Sequence, residues 1–236
     1  MAFNLQTFKT RALTAIVFAA VMLGGIFFNP HAFMALFIII AMGCVWEFSK
    51  LIKLTFPEKY SNDRIIWAII GVIYIYYPFY TIFKLSIKGD GDSVYLDSIF
   101  PAAIFFSIWI NDTMAYIVGS FIGKTPFSKI SPKKTWEGTI GGAILCVVAI
   151  TLLFSKTSLF PNSLTVQNWI IISSLCAVFG TLGDLFESKL KRMAGVKDSG
   201  NIMPGHGGFL DRFDSFLFAA PAVWVYVKYF LPQTLM

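Results

Sequence analysis

Apolar residues gather along this chain in blocks of roughly twenty, set apart by short polar stretches. The blocks fall at about 12–28, 32–49, 65–83, 98–122, 138–155, 168–187 and 209–231. Runs of that length predict transmembrane α-helices, because a helix satisfies its own backbone in lipid and a lone strand does not. The fourth block carries Asn111 and Asp112 in mid-run, so the count of seven rises to eight or nine if that segment is broken or re-entrant near Asp112. No long polar linker divides the chain. The expectation is an all-α, polytopic membrane helical bundle, a single integral membrane domain over 1–236. Within it, 1–100 holds N-terminal helices and 101–236 holds the chemistry. Lys9 and Arg11 ahead of the first block imitate a signal peptide, but Asn29-Pro30-His31 offers no small-residue cleavage site and a second block follows at once. A retained first helix is expected.

Composition narrows the class further. At 56% hydrophobic, 14% charged and a mean hydropathy of +0.70, the chain lies outside the range of soluble domains. Its net charge of +6 does not point to nucleic acid, because the cations sit at block ends, where headgroup contacts and topology signals use them. With the N-terminus inside, one face receives the basic residues of both polar loops, and the other only Lys84, Lys88, Lys156 and Lys228. That bias predicts a site facing the cytoplasm, and the short chain suits a bacterial inner membrane. Cys44, Cys146 and Cys176 lie inside apolar blocks without metal-like spacing and read as inert, buried thiols. Gly119, Gly123, Gly138 and Gly142 recur at helix-packing spacing, for contacts within the chain or, as the alternative, in a homodimer. No inverted repeat of the transporter kind is visible.

Polar chemistry concentrates in three places. Residues 123–138 carry Lys124, Lys129, Lys133 and Lys134 among hydroxyls and two prolines, followed by Trp136 and Glu137. Lysines and hydroxyls in a stiffened loop suit a polyphosphate; a positive-inside loop with Trp136 at the interface is the plainer reading. The hydroxyl density, with Glu137 at the mouth of the next block, tips toward a site in which Trp136 and Glu137 also contact substrate. Asp184, Ser188 and Lys191 share a helix face at the end of the sixth block, with Glu187 one turn from Lys191. Residues 205–215 form a glycine turn with His206, then Asp211, Asp214 and Ser215 on the first turns of the last block. Asp184 and Asp211 are placed to face each other across two helices and hold a divalent cation such as Mg²⁺. Asp112 is a charge within a span, either paired with Arg212 or, like Arg212, taking a direct part in binding substrate. No nucleic acid is expected.

The run 188–214 closely resembles the signature of phosphatidate cytidylyltransferases, also called CDP-diacylglycerol synthases. The matching residues are Ser188, Lys191-Arg192, Lys197-Asp198, Pro204-Gly205-His206-Gly207-Gly208 and Asp211-Arg212-Phe213-Asp214, with Met203 where the signature usually has another apolar residue. Residues 111–116 and 131–138 are similar to further family motifs. The resemblance implies transfer of a cytidylyl group from CTP to bilayer phosphatidate, giving CDP-diacylglycerol and pyrophosphate. It implies Asp184 and Asp211 as Mg²⁺ ligands, with room beside them for a second cation, a monovalent one among the options. It also implies Lys191, Arg192 and Lys197 as phosphate clamps, and Ser188, Asp198, His206 and Asp214 as lining the site. The loop with Lys133 and Lys134 would hold CTP. Two other readings compete: a CTP-dependent kinase of a polyprenol-type lipid alcohol, and a transporter of a phosphorylated solute.

Overall fold

The computed structural model describes residues 5–56, 61–89, 94–156, 164–202 and 207–232. Among these residues run seven α-helices: α1 (Leu5–Phe27), α2 (Pro30–Thr55), α3 (Ser61–Ser86), α4 (Ile99–Ile122), α5 (Trp136–Lys156), α6 (Val166–Met193) and α7 (Leu210–Phe230). Each coincides with one apolar block. Five of them, α2 to α6, are long and apolar enough to cross a membrane. The chain is therefore an integral membrane protein built as an all-α bundle. α4 runs unbroken through Asn111 and Asp112, so the helix neither breaks nor re-enters there.

Local chemistry sets the helix ends. Asn29 caps α2, its Oδ1 accepting the Ala32 amide at 2.8 Å, with Pro30 at the first helical position where its missing N–H costs nothing. Thr165 caps α6 in the same way through the Asn168 amide at 3.3 Å. α6 stops where Gly195 takes a φ of 70°, with Lys191 and Arg192 in the last turn on the negative end of the helix dipole. Two features escape the apolar pattern. β1 (Ile87–Gly89) and β2 (Val94–Leu96) pair antiparallel between α3 and α4, with Lys88 opposite Tyr95. The lysine-rich loop after α4 folds back on itself, the Phe127 amide donating to Lys134 O at 2.8 Å and the Trp136 amide to Thr125 O at 3.0 Å.

The core is aromatic. Phe37 of α2 meets the rings of Phe33, Phe79, Phe83, Phe105 and Phe216, so α2, α3, α4 and α7 interlock around one side chain. In lipid such contacts hold helices together by packing, since burial from lipid gives no hydrophobic gain. The three cysteines are buried and free, as their settings suggest. Close helix approach falls between α4 and α5: a Cβ on Gly142 would stand 2.6 Å from the Ala115 amide nitrogen, and one on Gly138 2.9 Å from the Gly119 Cα. These glycines are spent within the chain and supply no argument for a dimer.

That contact predicts a contrast between two glycines. Gly142→Val should lower the midpoint of thermal unfolding in detergent, through an overpacking cost of about 1–3 kcal/mol. Gly24→Ala, where a Cβ would meet nothing within 4 Å, should leave it unchanged or raise it slightly. Equal behaviour of the two variants would contradict the α4–α5 packing.

Candidate active site

A backbone-to-backbone contact brings the two signature helices together. A Cβ on Gly183 of α6 would collide with the carbonyl oxygen of Asp214 on α7, and only hydrogen fits in that space. The loop between the helices is organised by Asp211. Its Oδ1 accepts from Lys191 Nζ at 2.6 Å, and its Oδ2 from the amides of Ser199 and Gly208, both at 2.8 Å, and from Ser199 Oγ at 2.9 Å. Lys191 also pairs with Glu187 one turn back, whose side chain is wholly buried. The ammonium expected to clamp phosphate thus holds two carboxylates.

A third carboxylate joins them from outside the signature. Glu47 of α2 is completely buried and accepts from the amides of Phe209 (3.0 Å) and Leu210 (2.8 Å) and from Ser199 Oγ (2.7 Å). It therefore caps the N-terminus of α7 from another helix, where no side chain of α7 itself does so. Gly200 and Gly208 make room, since a Cβ at either would collide with the Glu47 carboxylate. Sequence reasoning missed Glu47 and Ser199. The available signal was a lone Glu inside the second apolar block, the same rule that singles out Asp112.

Beside this network lies a cavity of 460 Å³. Asn111, Asp112, Tyr116 and Ser120 of α4 line it, with Ser131, Lys133 and Lys134 of the loop and Thr181 and Asp184 of α6. Lys134 Nζ forms an ion pair with Asp184 Oδ2, and Ser188 Oγ donates to Asp184 Oδ1 at 3.2 Å. The structure thus brings together Lys133, Lys134, Asp112 and Asp184 from the expected set. Glu137 acts elsewhere, its carboxylate accepting the amides of Lys124 and Thr125 at 3.1–3.2 Å and pinning the start of the loop. Trp136 packs edge-on against Phe127, and neither Trp136 nor Glu137 lines the cavity. Arg192 donates to Val196 O at 3.1 Å, while Lys197 and Asp198 are exposed on the loop beyond α6. Asp214 is half-buried and takes the Ser215 amide at 2.5 Å. Asp112 accepts from Asn111 Nδ2 at 3.5 Å and forms no ion pair with Arg212. His206 lies outside the described residues.

Among the described residues, no group of three or more His, Cys, Asp or Glu side chains is gathered to hold a metal. A hard cation nonetheless suits the donor set. Asp184 shares its cavity with Asp112, and both Asp184 and Asp211 already hold a positive charge in the form of a lysine ammonium. On Asp211 the atom held by lysine alone is Oδ1, since Oδ2 is taken up by the amides of Ser199 and Gly208, with the Ser199 hydroxyl, whose one proton serves either Asp211 or Glu47, beside them.

Comparison with known proteins sets this geometry in context. Residues 57–230 match the model of the cytidylyltransferase family. The chain is 39% identical over 188 residues to a phosphatidate cytidylyltransferase of Bacillus subtilis, covering 78% of this chain and 67% of that protein. It is 34% identical over 196 residues to one of Aquifex aeolicus, covering 77% and 71%. Against phosphatidate cytidylyltransferase 4, chloroplastic, of Arabidopsis thaliana, identity is 46% over 125 residues, or 52% of this chain. The match spans only 31% of that plant protein's length.

Glu47 yields a test of the network. Glu47→Ala leaves the Phe209 and Leu210 amides without an acceptor, while the Ser199 hydroxyl can turn to Asp211 Oδ2, at a cost of about 2 kcal/mol or more. Its thermal unfolding midpoint in detergent should fall well below that of the unaltered protein. Glu47→Gln, which keeps one acceptor oxygen, should fall between them, and an unchanged Glu47→Ala would show that α7 needs no cap from α2.

Proposed function

The chain belongs to the cytidylyltransferase family, and we propose that it transfers the cytidylyl group of CTP to phosphatidate, forming CDP-diacylglycerol and pyrophosphate. The observation that carries this reading is the cavity in which Lys133 and Lys134 from a loop meet Asp112 and Asp184 from apolar spans. A soluble polyphosphate needs the first pair, and a membrane-anchored substrate needs a polar site sunk among helices. The relatives' names and the signature at 188–214 support the same reaction.

In the proposed reaction a phosphatidate oxygen bonds to the α-phosphorus of CTP while the bond from that phosphorus to the bridging oxygen breaks. Pyrophosphate leaves with that oxygen. The attacking group is already an anion, so no strong general base is required, and positioning with charge neutralisation supplies the acceleration. Lys133 and Lys134 meet the nucleotide's phosphates, on a loop that Glu137 keeps folded before substrate arrives. Lys191 acts from behind, holding Asp211 in place through Oδ1. Arg192 and Lys197 of the same signature are proposed to clamp the bound phosphates, and Ser188, Asp198, His206 and Asp214 to line the site.

Mg²⁺ is the proposed cofactor, with Asp184 and Asp211 as ligands and a second, monovalent cation beside them. It would neutralise charge on the transferring phosphoryl group. Seven crossings with the loops on the cytoplasmic side of a bacterial inner membrane would bring CTP and phosphatidate to one depth. The strong bias of basic residues toward that side supports this orientation.

Purified protein in detergent, given CTP, phosphatidate and Mg²⁺, should form lipid-linked CMP and pyrophosphate in equal amounts. Asp184→Asn should reduce turnover by about a hundredfold or more, as expected for loss of a transition-state charge partner. With a polyprenol-type lipid alcohol in place of phosphatidate, CDP formed together with the phosphorylated alcohol would instead identify a kinase. Lys133→Gln should raise the apparent KM for CTP by about tenfold, the worth of one charge-assisted phosphate contact.

A further inference from the structure

A second cavity lies against the first. It measures 320 Å³ and is lined by Thr14, Phe18 and Ala19 of α1, Trp109, Asp112 and Thr113 of α4, and Arg212 of α7. Asp112 lines both cavities and so marks where they adjoin.

The two cavities differ in ways that sort the substrates. The larger one draws Ser131, Lys133 and Lys134 from a polar loop, and two ammonium groups suit the several charges of a nucleotide triphosphate. The smaller one has a single cation, a guanidinium, and its outer wall is a helix. That helix, α1, turns Leu13, Ile16 and Val17 outward at 65%, 66% and 53% exposure, as a lipid-facing surface does, and turns Thr14 and Phe18 toward the cavity. Phe18 packs on Trp109 and Phe213, so the floor beneath the polar groups is aromatic. Apolar walls under one guanidinium and the hydroxyl of Thr113 suit a phosphomonoester that carries hydrocarbon. Arg212 makes no ion pair among the described residues, and it is exposed where it lines the cavity, open to an incoming anion. A planar guanidinium in that position is matched to the two oxygens of a phosphate.

We propose that the cavity between α1, α4 and α7 is the lipid-phosphate subsite, with Arg212 as its anion-binding side chain. This rests on the reaction proposed above and divides its site in two: nucleotide on the lysine side of Asp112, lipid phosphate on the arginine side. The reacting atoms then meet beside Asp112. A carboxylate there disfavours two anions arriving alone, which agrees with a need for an accompanying cation. The lipid enters past α1, and its acyl chains stay in the bilayer.

Direct binding tests the division without relying on turnover. Dioctanoyl phosphatidate and CTP would each be titrated calorimetrically into the purified full chain in detergent, with Arg212→Gln, Arg212→Lys and Lys133→Gln beside the unaltered protein. Arg212→Gln should weaken phosphatidate by about tenfold or more and leave CTP within about twofold. Arg212→Lys should fall between, keeping the charge and losing the fork. Lys133→Gln should do the reverse, weakening CTP alone. Thermal unfolding of Arg212→Gln should match that of the unaltered protein, because Arg212 is exposed and holds no ion-pair partner among the described residues. Inorganic pyrophosphate, as competitor, should displace CTP and not phosphatidate. The proposal is overturned if Arg212→Gln binds phosphatidate normally, if it loses CTP or pyrophosphate instead, or if the unaltered protein does not bind phosphatidate. Intact binding with no lipid-linked CMP formed would remove the reaction while leaving the subsite standing.

Discussion

The polar interior of this bundle hangs on one chain of contacts: Glu47 to Ser199, Ser199 to Asp211, Asp211 to Lys191, and Lys191 to Glu187. Two carboxylates share one ammonium, and a third, Glu47, joins them through Ser199. The remaining compensation comes from the amides of Ser199, Gly208, Phe209 and Leu210, the last two at the positive end of the α7 dipole. Removing any one partner strands a charge in a low-dielectric interior, so the network tolerates little movement. It also fixes what lies next to it. The start of α7, the end of α6, and Ser199 and Gly208 between them are held in one arrangement before any substrate arrives.

The helices were legible because their signals are local. Asn29-Pro30 announces the start of α2, and unbroken apolar runs announce the spans. Asp184 with Lys133 and Lys134 was legible as phosphate chemistry, and the structure gathers these residues around one cavity. Glu47 was harder, because its partners lie 152 to 163 residues away in sequence and nothing near it marks a site. Glu137 shows a different difficulty. Its position at the mouth of α5 suggested a ligand contact, and only the folded loop reveals that its oxygens are taken by the amides of Lys124 and Thr125. The β1–β2 hairpin is too short for alternation to register, and its turn lies outside the described residues.

Charge and packing divide the labour between the halves of the site. On the α4–α5 side, glycines bring backbones together and the loop that follows α4 is braced by its own hydrogen bonds. On the α6–α7 side, Gly183 brings two helices into contact and buried ion pairs do the bracing. Asp184 and Lys134 form the ion pair that ties these halves together. Opening that pair frees both a carboxylate and an ammonium at the cavity wall, which is where a highly charged nucleotide would need them.

The family match begins at residue 57, beyond the end of α2, yet α2 supplies the carboxylate that caps α7. The early helices are therefore not an interchangeable anchor on which a catalytic half happens to ride. A chimera that grafts the N-terminal helices of another protein onto the C-terminal part of this one must carry over a matched set. That set is the acidic side chain at 47, the serine at 199, and the glycines at 200 and 208 that leave room for it. The heritable unit is a lock whose two parts lie at opposite ends of the chain, and a recombination point placed between them separates key from keyhole.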